Sequence, residues 1–502
     1  MPRIFSEEKL GVKRVNGFYE TPLETVKYIV GKIIPFWEKG MKILDPAVGD
    51  GVFLYALQSS GIPREYLYGF DIDEKKVRLL KQDFPNVSLF DSTNPFLDKY
   101  DFVVGNPPYN GDESHFVRKN RSRLKKLYGE IGAKNTFSMI SYQAIKSLKP
   151  DGVFSMILSD AFMTNIYYKK FRDFLLKNTE IQEMLLAPWK LFHHISADVR
   201  TCILTVKKLP KQNILEEFPL FTNSSDYNNK LGNDVRLVDR IETEEEYNKP
   251  DKVEIVKQRE FLKYPNNVFL VGIPSSIRSI YLDTNTRLGD VVEGGTGIST
   301  GNDKKYLKKR DEVEGSKKWV PYYKNGARQK YWYFPEYFIE KDYQKHKKVV
   351  KNYLVRNEKL FFREGITCSS VGIRFSAAFM PEGGLFGVNA NFFPKDRNDI
   401  YYILGLLNSK LAWYFTRRVL VRTNNISSNY LRLLPYKEPC KEEKSSISHL
   451  VKGIVKELKK NSDYNFDLIQ RKLDDKFFNI YNIDKDTKKE VNGFCNDFYN
   501  KM

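Results

Sequence analysis

Asp45-Pro46-Ala47-Val48-Gly49-Asp50-Gly51 stands between a short apolar run, Ile43-Leu44, and a helical pattern beginning at Phe53 to Leu57. A strand, a turn with two glycines and a helix bring backbone close to a ligand. Many nucleotide folds contain such a turn, so its surroundings decide its meaning. Outward from it, Tyr66 to Phe70 read as a second strand ending at Asp71, Val87 to Phe90 as a third ending at Asp91, and Phe102 to Val104 as a fourth. Val153 to Leu158, Ile181 to Leu186 and Cys202 to Val206 supply three more. Thr21-Pro22 opens a helix with an apolar face of Val26, Ile29 and Val30, where a first-turn proline forfeits no hydrogen bond. Another helix is predicted from about Thr136 to Leu148. Strand–helix alternation with near-continuous apolar strands predicts an α/β, Rossmann-like, mostly parallel sheet of seven strands covered on both faces.

The acidic strand ends define the ligand. Asp71 closes the second strand, where a carboxylate can accept from ribose hydroxyls. No GK[ST] follows the glycine turn, which excludes a P-loop. Asp45 and Asp50 put negative charge where a pyrophosphate would sit, so a cationic cofactor without phosphates fits better than a dinucleotide. As turn formers alone, Asp45, Asp71 and Asp91 would be an improbable ordered set.

Asn106-Pro107-Pro108-Tyr109 directly follows the fourth strand. Two prolines fix two φ angles and remove two donors, and each pushes the preceding residue to an extended conformation. The stiff turn holds an amide, a carbonyl and an aromatic ring in fixed relation. That set suits a planar base with an exocyclic amine: two acceptors for the amine and a ring to stack on.

The chain of 502 residues is too long for one core and carries a formal charge of +19, with a pI near 9.3. Such an excess points to a polyanionic partner. Four scattered cysteines without CxxC spacing and five histidines without an HExxH pair argue against a disulfide framework or zinc site. With no apolar run of transmembrane length and no signal-peptide core, a reducing cytoplasm is the expected location.

Four regions are expected: a catalytic domain over 1–210, a connection over 211–263 in which Ile214 to Phe221 could form a stray strand, an aromatic-rich basic α+β domain over 264–437, and a helical tail over 438–502. In the tail, Ile447, Leu450, Val451, Ile454, Val455 and Leu458 recur at helical spacing, as do Leu468, Ile469, Leu473, Phe477 and Phe478 further on. Asn110–Lys134 is expected to be a loop, mobile without a nucleic acid, with Arg118, Lys119, Arg121 and Arg123 contacting phosphate. Basic and aromatic residues interleave over 317–324 and 328–333, which predicts a nucleic-acid face using Lys324, Arg328 and Lys330.

Gly17-Phe18-Tyr19-Glu20-Thr21-Pro22, Asp45 to Gly51, Asp71-Ile72-Asp73, Asp91 and Asn106 to Tyr109 together resemble the gamma-class S-adenosylmethionine-dependent DNA adenine-N6 methyltransferases. The resemblance covers about residues 17 to 207 and implies the class I methyltransferase fold with a C-terminal target-recognition domain. Gly294 to Asp303 and Ser428 to Pro435 resemble the opening and closing of such domains, while 319–325 and 365–367 resemble methyltransferases of phage-exclusion systems. It implies that Thr21 and the loop of Asp45, Pro46, Ala47, Gly49 and Gly51 contact the cofactor's methionine. It further implies that Asp71 binds the ribose, Ile72 packs on the cofactor's adenine, Asp91 with Ser92 reads that base's edge, and Asn106 adjoins the cofactor. Asn106 and the Pro107 carbonyl would accept the target amine, with Pro108 stiffening the turn. Tyr109 and a second aromatic, Phe192 or alternatively Trp189 or His193, would sandwich the base. Duplex DNA is the implied partner, approached by a monomer, in restriction–modification or related phage defence with any endonuclease encoded separately. N4-cytosine transfer remains open, although that class usually has serine where Asn106 stands. Release-factor glutamine methyltransferases also carry this turn but lack a large basic C-terminal domain.

Overall fold

The computed structural model describes residues 21–189, 191–192, 200–211, 231–347, 349–350, 352–369, 375–420 and 426–500. It divides into two compact units, Met1–Gly272 and Ile273–Met502.

In the first unit, nine described strands form one sheet in the order β3-β2-β1-β4-β5-β7-β6-β8-β9. They are β1 Ile43–Asp45, β2 Leu67–Asp71, β3 Asn86–Leu89, β4 Tyr100–Gly105, β5 Leu148–Ser159, β6 Thr179–Leu186, β7 Thr201–Lys208, β8 Asp234–Val238 and β9 Val253–Lys257. The first five are parallel, and β7 is antiparallel to both β5 and β6. Residues 102–104 are buried throughout because helices cover the sheet, which is why the strand reads as an unbroken apolar run. Leu23–Gly31 packs Val26, Ile29 and Val30 into this core, as the pattern predicts. The sequence pattern did not announce Glu74–Leu80, whose N-cap Asp73 accepts from Lys75 N at 2.9 Å. The order reverses between β1 and β4, the switch point at which open α/β sheets bind ligands beyond their strand ends.

The expected seven strands are present and two more extend them. Val235, Leu237 and Val238 are buried on β8, which runs parallel to β6, and β9 pairs with β8. The 211–263 stretch is therefore partly sheet and falls within the first unit, as do residues 264–272, where the sequence predicts the opening of the second domain. The possible strand at 214–221 lies outside the described residues.

Asn110–Lys134 also departs from expectation. It holds two short helices, His115–Lys119 and Arg121–Leu127, the first capped by Ser114. Val117, Leu124 and Tyr128 are buried beneath them. Three anchors spread among many charges leave a weak apolar pattern, so the segment resembles a loop in sequence.

The second unit holds two four-stranded sheets, ordered β10-β17-β14-β15 and β11-β13-β12-β16. The first comprises Val292–Gly295, Ala390–Pro394, Gly365–Cys368 and Ala377–Met380; the second comprises Leu307–Lys309, Tyr337–Glu340, Trp319–Tyr323 and Leu385–Phe386. Gly297 sits where a Cβ would lie 2.0 Å from the Phe386 carbonyl oxygen, so the glycine-rich stretch at 294–301 serves close backbone packing. Lys441–Lys460, Asp467–Ile480 and Lys485–Asn500 form the helical end. Ile447, Val451, Ile454, Val455 and Leu458 are buried as predicted, whereas Leu468 is exposed.

Replacing Leu124 by Ala removes the apolar anchor of the second short helix. Such truncations cost about 2–5 kcal/mol when the site cannot collapse. Limited trypsin digestion should then cut within 118–126 at least about tenfold faster than in the wild type, with the central sheet still folded. Unchanged protection would mean that Leu124 does not anchor the segment.

Candidate active site

The loop after β1 is stitched to β2. Val48 N donates to Phe70 O and Gly49 N to Asp71 Oδ2, both at 2.9 Å. Gly51 has φ +84°, and a Cβ there would lie 2.5 Å from Leu80 Cδ2. Gly49, with φ +55°, and Gly51 thus both hold left-handed backbone in this turn. Asp71 also accepts from Asp73 N at 2.8 Å, and burial raises its pKa. Asp50 pairs with Lys76 at 3.0 Å.

Asp45 is fully buried. Its Oδ1 accepts from Ala47 N at 3.0 Å, while Oδ2 has no hydrogen-bond partner among the described residues. Desolvation pushes its pKa up to about 7, against the Ala47 N–H and with help from the Asp71 charge. Beside it, Gly105 ends β4 with φ +146°, and a Cβ there would meet Asp45 Oδ1 at 2.6 Å.

The Asn106–Tyr109 turn is braced on each side. Asn106 Nδ2 donates to Thr21 Oγ1 at 3.0 Å, and the Tyr109 hydroxyl lies 2.7 Å from Asn106 Oδ1 and 3.1 Å from Ile157 O. Thr136 Oγ1 donates to Pro108 O at 2.5 Å and accepts from Asn110 N at 3.0 Å. Pro107 is buried.

A cavity of about 550 Å³ unites these pieces. Pro46, Ala47, Asp71, Ile72, Asp91, Ser92, Asn106 and Pro108 line it, as does Phe90. Ile72 is 62% exposed, an aliphatic face offered to whatever enters. Ser92 Oγ donates to Pro46 O at 2.5 Å, tying the loop after β3 to that after β1. His115, Phe116, Lys119 and Asn120 close another side, with Thr136 and Ile140 behind. The first four reach the cavity because the short helices fold over it, whereas Thr136 and Ile140 lie on the helix Thr136–Ser147. Thr21 lines a separate open cavity with Pro22, Val52 and Leu191.

Other expected residues lie elsewhere. Phe192 is 1% exposed within the first unit's core and does not line the cavity. Trp189 stacks between the Arg200 and Arg240 guanidinium groups, at 4.6 and 4.3 Å. His193 and Gly17 to Glu20 lie outside the described residues. Tyr109 does not line the cavity and meets Phe137 edge-on at 6.0 Å.

Of the expected phosphate-binding residues, Arg118 and Arg121 are exposed and Lys119 faces the cavity, whereas Arg123 pairs with Asp91. The basic–aromatic stripe needs correction. Tyr322, Tyr323 and Tyr333 are core residues of the second unit. Lys330 is half-buried and donates to Asn408 O at 2.8 Å, and desolvation lowers its pKa. Lys324 pairs with Asp303 at 2.7 Å, and the exposed Arg328 pairs with Glu336. Aromatic packing accounts for the buried tyrosines of the stripe. Among the described residues, no acid, histidine and cysteine cluster could hold a metal, and no helix is long and apolar enough to cross a membrane.

Residues 70–188 match the model of the Eco57I restriction-modification methylase family. Adenine-specific methyltransferase BrxX of Escherichia coli O9:H4 (strain HS) is 27% identical over 366 residues, 67% of this chain and 28% of BrxX. Type II methyltransferase M.HincII of Haemophilus influenzae is 29% identical over 188 residues, covering 36% of each chain. This chain thus spans less than a third of BrxX and well under half of M.HincII. The type IIL restriction-modification enzyme MmeI, solved in complex with DNA, shares the fold with a TM-score of 0.58 at 13% identity, over 99% of this chain and 76% of that one.

Asp45 offers a pH test. An unfolded aspartate titrates near pKa ~4, so the folded protein holds this proton more tightly. Its contribution to stability is fully present below about pH 4 and is lost as pH rises through about 7. Asp45→Asn, which keeps the Ala47 contact, should raise the melting temperature by an amount growing from about pH 4 to 7, to several degrees. A loss at every pH would show the carboxylate to be net stabilising.

Proposed function

We propose that this protein transfers a methyl group from S-adenosylmethionine to the N6 amino group of adenine in duplex DNA, within restriction–modification or a related phage defence. One observation carries the reading: a single cavity joins Asp71, Ile72, Asp91 and Ser92 to the Asn106–Pro108 turn. The orphaned Asp45 Oδ2 supports the cofactor assignment, since a buried carboxylate without a cationic partner suits a cationic ligand. Asp71 would take the ribose, Ile72 the face of the cofactor's base, Asp91 and Ser92 its edge, and the 45–51 loop with Thr21 the methionine end. When bound, the cofactor supplies an electrophilic methyl.

The chain's contribution is positioning and electrostatics. The adenine amine is a poor nucleophile because its lone pair is delocalised into the ring. Accepting both of its N–H bonds at Asn106 Oδ1 and the Pro107 carbonyl favours a tetrahedral nitrogen. No strong base is needed before attack, because the methylated amine sheds its proton afterward. Thr21 and Tyr109 hold the amide plane, and Thr136 holds the Pro108 carbonyl, so the acceptors are set before the base arrives. Extruding a base costs roughly a few kcal/mol. The charge of +19 and the exposed Arg118, Arg121, Lys125 and Lys126 suit a polyphosphate partner.

Purified protein with labelled S-adenosylmethionine and mixed-sequence duplex DNA should yield N6-methyladenine on nucleoside analysis. Asn106→Ala should lower that yield about 100-fold or more, as loss of a catalytic hydrogen-bond partner does elsewhere, with cofactor binding retained. Label in N4-methylcytosine or in protein would replace the adenine reading.

A further inference from the structure

The Asp91 carboxylate is aimed from both sides. Its Oδ1 accepts from Thr93 N at 2.9 Å and Thr93 Oγ1 at 2.6 Å, and its Oδ2 pairs with Arg123 Nη2 at 2.9 Å. The Arg123 fork reaches further along the same turn: Nη2 donates to Thr93 Oγ1 at 3.0 Å and Nη1 to Asn94 Oδ1. Buried Leu124 seats the helix that carries it, and the buried Tyr128 hydroxyl donates to Thr93 O at 2.7 Å. Asp91, Ser92 and Thr93 line the cavity, whereas Arg123 does not. A planar fork fixes a carboxylate's direction in a way a flexible ammonium does not.

We propose that Arg123 is a positioning residue that aims Asp91 and thereby sets the choice between cofactors bearing an amino group or a carbonyl at purine C6. The proposal rests on the S-adenosylmethionine reading above. A carboxylate held toward the cavity accepts from an amine N–H. Against a carbonyl, two acceptors face each other and neither is satisfied, which gives strong discrimination. A carboxylate free to turn away would lose the preference while keeping most other contacts. Arg123 is thus drawn from phosphate contact to cofactor selection.

The test is calorimetric binding of S-adenosylhomocysteine and its deaminated counterpart, S-inosylhomocysteine, with thermal melting to verify folding. The wild type should favour the adenosyl form by about 50-fold or more, the order expected when a paired group is replaced by an opposed one. Arg123→Met should reduce the ratio to within about fivefold, and Arg123→Lys should restore part of it. Asn94→Ala removes another acceptor of the fork, along with the Asn94 Nδ2 donation to the Asp91 backbone carbonyl at 3.1 Å, while the Asp91 carboxylate keeps its Thr93 contacts; it should reduce the ratio partially, which keeps the test decisive if Arg123→Met fails to fold. An unchanged ratio, or equal weakening for both ligands, overturns the proposal and makes Arg123 a helix brace. Wild-type binding without preference also overturns it while leaving the cofactor reading intact. Wild-type protein that binds neither ligand removes the cofactor reading itself.

Discussion

The contact between Asp45 and Gly105 constrains everything placed around the cavity. β1 and β4 pair in parallel, with Ile43 opposite Phe102 and Leu44 opposite Val103, so their carboxyl ends emerge side by side at the reversal of strand order. Glycine at 105 is what lets the two ends approach: any Cβ would intrude on the Asp45 carboxylate. The ligand loop leaves one strand end and the Asn106–Tyr109 turn leaves the other. Water is excluded from the carboxylate between them, which is what raises its pKa. A single missing side chain thus brings a cofactor loop and an acceptor turn into one crevice.

The sheet was legible in the sequence because strands covered on both faces carry near-continuous apolar runs, and because an aspartate stands at or just beyond the end of each of the first three strands, Asp45, Asp71 and Asp91. What escaped was of another kind. Asp234-Val-Arg-Leu-Val alternates like a strand but lies in polar surroundings, and β9 leaves Val253 and Ile255 exposed at the edge of the sheet. Both read as connection until a neighbouring strand supplies their hydrogen bonds. The two short helices of 115–127 fail for a related reason: they rest on Leu124 and Tyr128, too sparse for a periodic signal. At Phe192 the sequence supplies an aromatic ring but not its direction, which tertiary packing sends into the core.

Charge shows where composition stops being informative. An excess of lysine and arginine counts residues, not unpaired cations. In the second unit, the half-buried Lys330 is tied to the Asn408 carbonyl, and Lys324 and Arg328 have carboxylate partners, while the tyrosines between them fill the core. Interleaved bases and aromatics therefore describe an amphipathic strand as readily as a nucleic-acid face. The cations that do face outward near the cavity are those of the helical pair, Arg118, Arg121, Lys125 and Lys126.

That pair has two faces with different tasks in the proposed reaction. Outward, it presents cations suited to phosphates. Inward, Phe116, Lys119 and Asn120 wall the cavity, and Arg123 and Tyr128 hold the turn that carries Asp91. Helices of five and seven residues have too few internal hydrogen bonds to stand alone, so their order comes from these contacts.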